Sequence, residues 1–251
     1  MGGSLLWTLR LATNPLRPVI ARQLKGVVWR NEQGAAPRGP RRGMVGAGGE
    51  PLKVVVVGDS TVNGSDIPKR NLALGGQLAE ALSARTRRAV SWSVFAAGGV
   101  TPSNVLDKYA AKIERERPDL LVVGLGGNCL VQHYSPAGWA DALAELIDAL
   151  RPRVGATPIL LTAGPPVWGM KAIPQPLRTY LWLRKLLFDA ETKKLARSRP
   201  GVFFGPSYLG GSKRYLGPDG CHPSPEGYAL WGERIAETVT PLLSDERAVA
   251  A

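Results

Sequence analysis

The sequence predicts an α/β fold in which a five-stranded parallel sheet is covered by helices. Three observations predict it. Short β-branched apolar runs alternate with longer helical stretches five times along the chain. The runs are apolar throughout, as strands buried on both faces are. Small and polar residues gather just after them, where open parallel sheets hold their ligands.

The elements follow in order. Lys53–Val57 (KVVVV), stopped by Gly58, is the first strand. A helix is expected near Leu72–Arg85, and Ser91–Phe95 is the second strand. Ser103 is the expected N-cap of a helix with Leu106, Tyr109, Ala110 and Ile113 at helical spacing. Asp119–Leu125 is the third strand. Ser135-Pro136 opens a helix carrying Trp139, Leu143, Leu146, Ile147 and Leu150 on one face, with Pro suited to the first helical position. Pro158–Thr162 and Gly201–Phe204 are the fourth and fifth strands, and a long helix over Pro176–Arg197 lies between them. Ser224-Pro225 starts a last helix, whose inner face carries Tyr228, Trp231, Ile235 and Val239.

Composition bounds the rest. The chain has 251 residues, 44% of them hydrophobic, which suits one large domain with an extension and excludes a disordered chain. Two cysteines exclude a disulfide-rich scaffold and a four-cysteine zinc site. No run of about 18 apolar residues marks a spanning helix.

The net charge is +12, and residues 1–50 carry half of it: eight Arg or Lys against Glu32 and Glu50. Residues 1–30 mix Leu, Val and Trp with regularly placed Arg and Lys, and Pro15 and Pro18 are expected to interrupt any single helix. This basic amphipathic arm either lies on an anionic membrane surface or packs on its own domain. Arg10 and Arg17 break the apolar run that a secretory signal needs. A cytoplasmic location is therefore expected, with peripheral membrane contact and secretion both open. Residues 31–51 are rich in Gly, Pro and Arg and read as a linker. The folded domain is expected over 52–243, and 244–251 form a tail.

The residues after the strands carry the chemistry. They are Gly58-Asp59-Ser60-Thr61, then Ala97-Gly98-Gly99, then Gly126-Gly127-Asn128-Cys129, and last Asp219-Gly220-Cys221-His222. Taken singly, Ser60 reads as a helix cap, Asn128 as an Asx-turn residue and Asp219 as a turn residue. Together on one rim they read as a site. A serine hydroxyl needs a base to take its proton. His133 reads as a loop residue, which leaves His222 as the base. Asp219, three residues earlier, can reach its Nδ1–H and fix the tautomer. Asp59 is expected to order the loop rather than to serve as the triad acid.

These four blocks resemble those of the SGNH hydrolases, the GDSL-type lipases and esterases. The resemblance covers about residues 52–242 and implies a three-layer α/β/α sandwich of flavodoxin-like order. It implies Ser60 as nucleophile and the backbone N–H groups of Ser60 and Gly99 with the Asn128 amide as oxyanion donors; Gly98 is the alternative to Gly99. The family often has Asp after the Asn of its third block, and Cys129 stands there instead. Cys129 and Cys221 both flank the implied site, where a disulfide and two thiols are the alternatives.

A serine esterase follows, acting on small acyl or acetyl esters through an acyl-enzyme. Lysophospholipases, thioesterases and acyltransferases use the same residues, and a membrane-surface binder with a silent hydrolase fold is the reading from another class. Val167 and Trp168, in an apolar loop after the fourth strand, are the expected substrate contacts. No metal, no cofactor and no nucleic-acid partner are expected; the expected partner is a small-molecule ester.

Overall fold

The computed structural model describes residues 16–32, 35–132 and 134–245. His133 and the first part of the arm lie outside the described residues. Six strands form one sheet in the order β1-β3-β2-β4-β5-β6. They are β1 (Arg42–Val45), β2 (Leu52–Gly58), β3 (Val90–Ala96), β4 (Leu120–Gly124), β5 (Ile159–Thr162) and β6 (Val202–Gly205). The last five pair in parallel. Their order places the switch point at β2, whose two neighbours lead in opposite directions.

The sheet thus has one strand more than the five expected. β1 pairs antiparallel with β3, Arg42 opposite Ser93 and Val45 opposite Val90. It lies in the stretch expected to be a linker. Its four residues alternate between exposed and half-buried, so it carries none of the continuous apolar signal of the central strands. An antiparallel strand at the edge of a parallel sheet is common in such folds.

Helices cover the sheet. α1 spans Arg17–Glu32, α2 Ser60–Asn63, α3 Leu74–Thr86, α4 Pro102–Glu116, α5 Gly127–Val131, α6 Pro136–Val154, α7 Leu177–Ser198 and α8 Pro225–Asp245. α3 packs on α8, while α4, α6 and α7 pack side by side. The central strands are buried along almost their whole length, Val56, Val57, Leu120 and Leu121 among them. The N-cap of α4 is Thr101, two residues before the expected Ser103. Pro102 then takes the first helical position, which Ser103 as cap would have left outside the helix.

The arm corrects another expectation. α1 is a continuous helix, and Pro18 is accommodated because it falls in the first turn. Ile20 and Leu24 are buried in the core. Gln23 Nε2 donates to the Gln175 carbonyl (2.8 Å), and its Oε1 accepts from the Leu177 N–H (3.2 Å). That N–H is one of the unpaired donors at the start of α7. The described part of the arm therefore packs on its own domain. No helix among the described residues is long and apolar enough to cross a membrane.

Residues 35–39 are also tied down, as a strap beside α2. The Arg70 guanidinium is buried and reaches four acceptors. Nη1 donates to Asn63 Oδ1 (2.9 Å) and to its carbonyl (3.3 Å), Nη2 to the Pro37 carbonyl (2.9 Å), and Nε to the Gly39 carbonyl (3.3 Å). Burial, then the nearby Arg41, lowers the Arg70 pKa. Such a cation stabilises only while its acceptors are met, and removing it strands them. Arg70→Met is expected to lower stability by about 2–4 kcal/mol, read as a lower midpoint in urea unfolding with an unchanged slope.

Candidate active site

The rim at the carboxyl ends of β2, β3 and β4 holds the site. β2 ends at Gly58, where a Cβ would meet the Gly124 carbonyl at 2.3 Å and Val62 Cγ2 at 2.4 Å. Only glycine lets the chain turn this tightly from β2 into α2. The turn leaves Ser60 as the first residue of α2, half-buried and facing the rim. Asp59 caps α2, its Oδ1 accepting from the Thr61 N–H (3.0 Å). From the other layer, the Tyr228 hydroxyl donates to the Thr61 carbonyl (2.5 Å).

His222 comes from the loop before α8. Its Nε2 lies 2.9 Å from Ser60 Oγ and its Nδ1 2.5 Å from Asp219 Oδ2. Asp219 Oδ1 also accepts the backbone N–H groups of Cys221 (2.9 Å) and His222 (3.0 Å). This local turn fixes the carboxylate under the ring. Burial works to raise the Asp219 pKa, but the hydrogen bonds and charge of His222 outweigh it and hold the carboxyl below its ordinary value. For His222 burial works downward, and the bond to Asp219 with the fields of Asp219, Asp59 and Asp66 raises the net value above 6.5. An imidazole so placed can take the serine proton and hold it as an ion pair.

Asn128 sits in α5, and its Nδ2 donates one proton to the Val100 carbonyl (3.1 Å). The second amide proton remains for a substrate oxygen. This bond ties α5 to the loop of Gly98 and Gly99, both exposed, with Gly99 in the left-handed region at φ 76°. Ser60, Asn128 and His222 line one cavity of about 80 Å³. Gly99 lies on the neighbouring loop and not in its lining.

The cavity continues into an apolar wall of Leu130, Val131, Val167, Met170, Ile173 and Leu181. The two expected substrate contacts part here. Val167 is buried in this wall, whereas Trp168 is 57% exposed and leans on Trp182 (5.1 Å between ring centroids). Tyr208 closes another side, its hydroxyl donating to the Cys221 carbonyl (2.9 Å). Sequence reasoning missed Tyr208, Ile173 and Leu181, because apolar residues on loops and helices carry no mark of which cavity they face. Cys129 and Cys221 are present as thiols. Burial, then the charge of Asp59, pushes the Cys129 thiol up to about 12.

Comparison with known proteins now has a geometry to bear on. The family model of the GDSL-like Lipase/Acylhydrolase family matches residues 56–230, which include Ser60, Asn128, Asp219 and His222. The chain belongs to this family. No curated protein matches it. Among solved structures this family member is similar to TesA, at 22% identity over 76% of this chain and 99% of that one, with a TM-score of 0.58. It is similar to a family 3 carbohydrate esterase of Clostridium thermocellum, at 18% identity over 80% of this chain and 100% of that one, TM-score 0.57. A mutant of Axe2, an acetyl-xylooligosaccharide esterase from Geobacillus Stearmophilus, matches at 16% identity over 76% of this chain and 95% of that one, TM-score 0.58. At such identities the likeness is one of fold.

Asp59 gives a stability prediction. Burial raises its pKa from 3.8 to about 6, against the pull of the Thr61 N–H and His222. Between these values the folded state holds a proton that the unfolded chain has released, so stability falls as pH rises through this window. Asn keeps the acceptor for Thr61 and carries no such penalty. Asp59→Asn is expected to match the unaltered protein below pH 3.8 and to be more stable above pH 6 by about 3 kcal/mol, measured by urea unfolding across pH.

Proposed function

We propose that the protein is a serine esterase that cleaves short acyl esters, acetyl esters first among them. The observation that carries this is the unbroken chain Asp219–His222–Ser60 at the mouth of a small apolar cavity. Ser60 Oγ attacks the ester carbonyl while His222 takes its proton. Asp219 steadies the imidazolium that results. The carbonyl oxygen becomes an oxyanion, met by the Ser60 and Gly99 N–H groups and the second proton of Asn128. His222 returns its proton to the leaving alcohol, and a water activated in the same way releases the acid.

The short chain length rests on volume. A cavity of about 80 Å³ lined by Ile173, Leu181 and Met170 suits a few carbons of acyl group. Two of the structural neighbours are by their descriptions carbohydrate or acetyl-xylooligosaccharide esterases, in keeping with a small acyl group on a polar alcohol.

Release of p-nitrophenol from acyl esters of increasing length tests this. Turnover is expected to peak at short chains and to fall about 10³-fold or more in Ser60→Ala and in His222→Ala. Asn128→Ala is expected to lose about 10²–10³ in kcat. Ile173→Ala and Leu181→Ala are each expected to move the optimum to longer chains. Undiminished turnover by Ser60→Ala sinks the reading.

A second reading concerns location. The outward side of α1 exposes Val19, Arg22 and Lys25, while Ile20 and Leu24 face the core. We propose peripheral contact with anionic membranes through this side, with the enzyme itself acting as above. The double variant Arg22→Glu, Lys25→Glu is expected to bind anionic vesicles at least about 30-fold less tightly in co-sedimentation than the unaltered chain, at about 1 kcal/mol per basic residue lost. Equal co-sedimentation dismisses it.

A further inference from the structure

One more carboxylate reaches the imidazole of His222. Asp66 follows α2, is exposed, and has a left-handed backbone at φ 64°. One oxygen of Asp66, one of Asp219 and one ring nitrogen of His222 all lie within 4.8 Å of one another. Both ring nitrogens already have partners, Nδ1 in Asp219 and Nε2 in Ser60. A metal ion on the ring would have to displace one of them. Asp66 therefore acts on the ring through its field.

Its aim is fixed from outside the catalytic loops. The Ala35 N–H donates to Asp66 Oδ1 (2.9 Å), and the Asp66 N–H donates back to the Ala35 carbonyl (2.9 Å). Ala35 belongs to the strap that Arg70 clamps to Asn63, the last residue of α2. The same guanidinium thus fixes the end of the nucleophile's helix and the segment that holds Asp66. A surface carboxylate seldom keeps one position, because fixing its side chain costs entropy. Here the Ala35 N–H on Oδ1 offsets that cost, and the main-chain bond back to the Ala35 carbonyl fixes the segment itself.

The groups facing His222 are Asp219 from its own loop, Asp59 from the end of β2 and Asp66 from beyond α2, with Tyr208 and Cys221 at its side. They differ in exposure. Asp59 is buried, Asp219 half-buried and Asp66 open to solvent. Asp66 is thus the carboxylate that meets the base from the solvent side, within a few ångströms of the ring.

We propose that Asp66 is a second positioning carboxylate for His222, stabilising its protonated form as Ser60 gives up a proton. This rests on the esterase reading for its catalytic meaning. The strap of residues 35–39 is then part of the catalytic apparatus, since it holds the carboxylate in place.

Asp66→Asn is the clean probe. Asn keeps the oxygen that accepts from Ala35, tolerates the left-handed backbone and removes only the charge. The chain has two histidines, so the His222 ring signals can be followed by NMR across pH and assigned with His133→Ala. In Asp66→Asn, His222 is expected to titrate at lower pH than in the unaltered protein. Because Asp66 is exposed, the difference is expected to shrink at about 1 M salt, where the screening length is about 3 Å. The acid limb of kcat/KM for a neutral short ester is expected to move the same way. Its plateau is expected to fall about 3–10-fold, through kcat rather than KM.

An unchanged His222 titration in folded Asp66→Asn, with thermal melting as the check on folding, overturns the proposal. A lost plateau with no movement of the titration or of the limb overturns it too, because a merely structural role would produce that. A shifted titration in a protein that cleaves no ester upholds the link from Asp66 to His222 and overturns the esterase reading alone.

Discussion

The close approach of β2 and β4 at Gly58 governs the whole rim. The Gly124 carbonyl and Val62 crowd the place of a side chain there, so the strand can only turn sharply into α2. That turn delivers Ser60 to the open end of the sheet at the point where the strand order reverses. α8 reinforces it from below through Tyr228, which holds the Thr61 carbonyl. His222 sits three residues before the start of α8, so the helix that pins the serine's turn also places the imidazole. A contact between residues 162 positions apart is thereby set by rigid elements on both sides and by no flexible loop alone.

The electrostatics of the rim follow from how deeply each acid lies. Three carboxylates surround one imidazole, and burial separates their behaviour: Asp59 is raised to about 6, whereas Asp219, rich in hydrogen bonds, is lowered. Cys129 makes physical sense in this setting. A carboxylate at its position, as the family often has, would add a second buried charge near Asp59. The thiol, pushed up to about 12, stays neutral and spares that repulsion. The departure from the family pattern therefore leaves the Asn128 amide in place on the rim and lightens the negative charge beside it.

How much of this was legible depended on whether the signal was local. The parallel strands announced themselves, because burial on both faces demands apolar residues at every position, as in Val54–Val57. β1 did not, since RGMV at an edge needs only alternate contacts and carries the composition of a linker. The residue types of the candidate site were legible because each lies in a short block on a loop that follows a strand. Asp66 and Arg70 were not. Their meaning lies in partners at residues 35–39, and no spacing in the sequence links a carboxylate at 66 to an alanine at 35. Asp219 was readable for the opposite reason, since its partner is three residues away.

The arm shows how a pair of alternatives drawn from sequence need not be rivals. Its inner face, Ile20, Gln23 and Leu24, is engaged with the domain. Gln23 satisfies the Leu177 N–H and the Gln175 carbonyl, and these lie in the chain between Ile173 and Leu181, two residues of the cavity wall. Pulling α1 away would expose Ile20 and Leu24 and strand a helix-end donor beside that wall. The outer face, Val19, Arg22 and Lys25, takes no part in this packing and is open to an acidic surface. A helix that grips the cavity with one side has its other side free for such a surface. Contact there would require no undocking of Ile20 and Leu24 from the core.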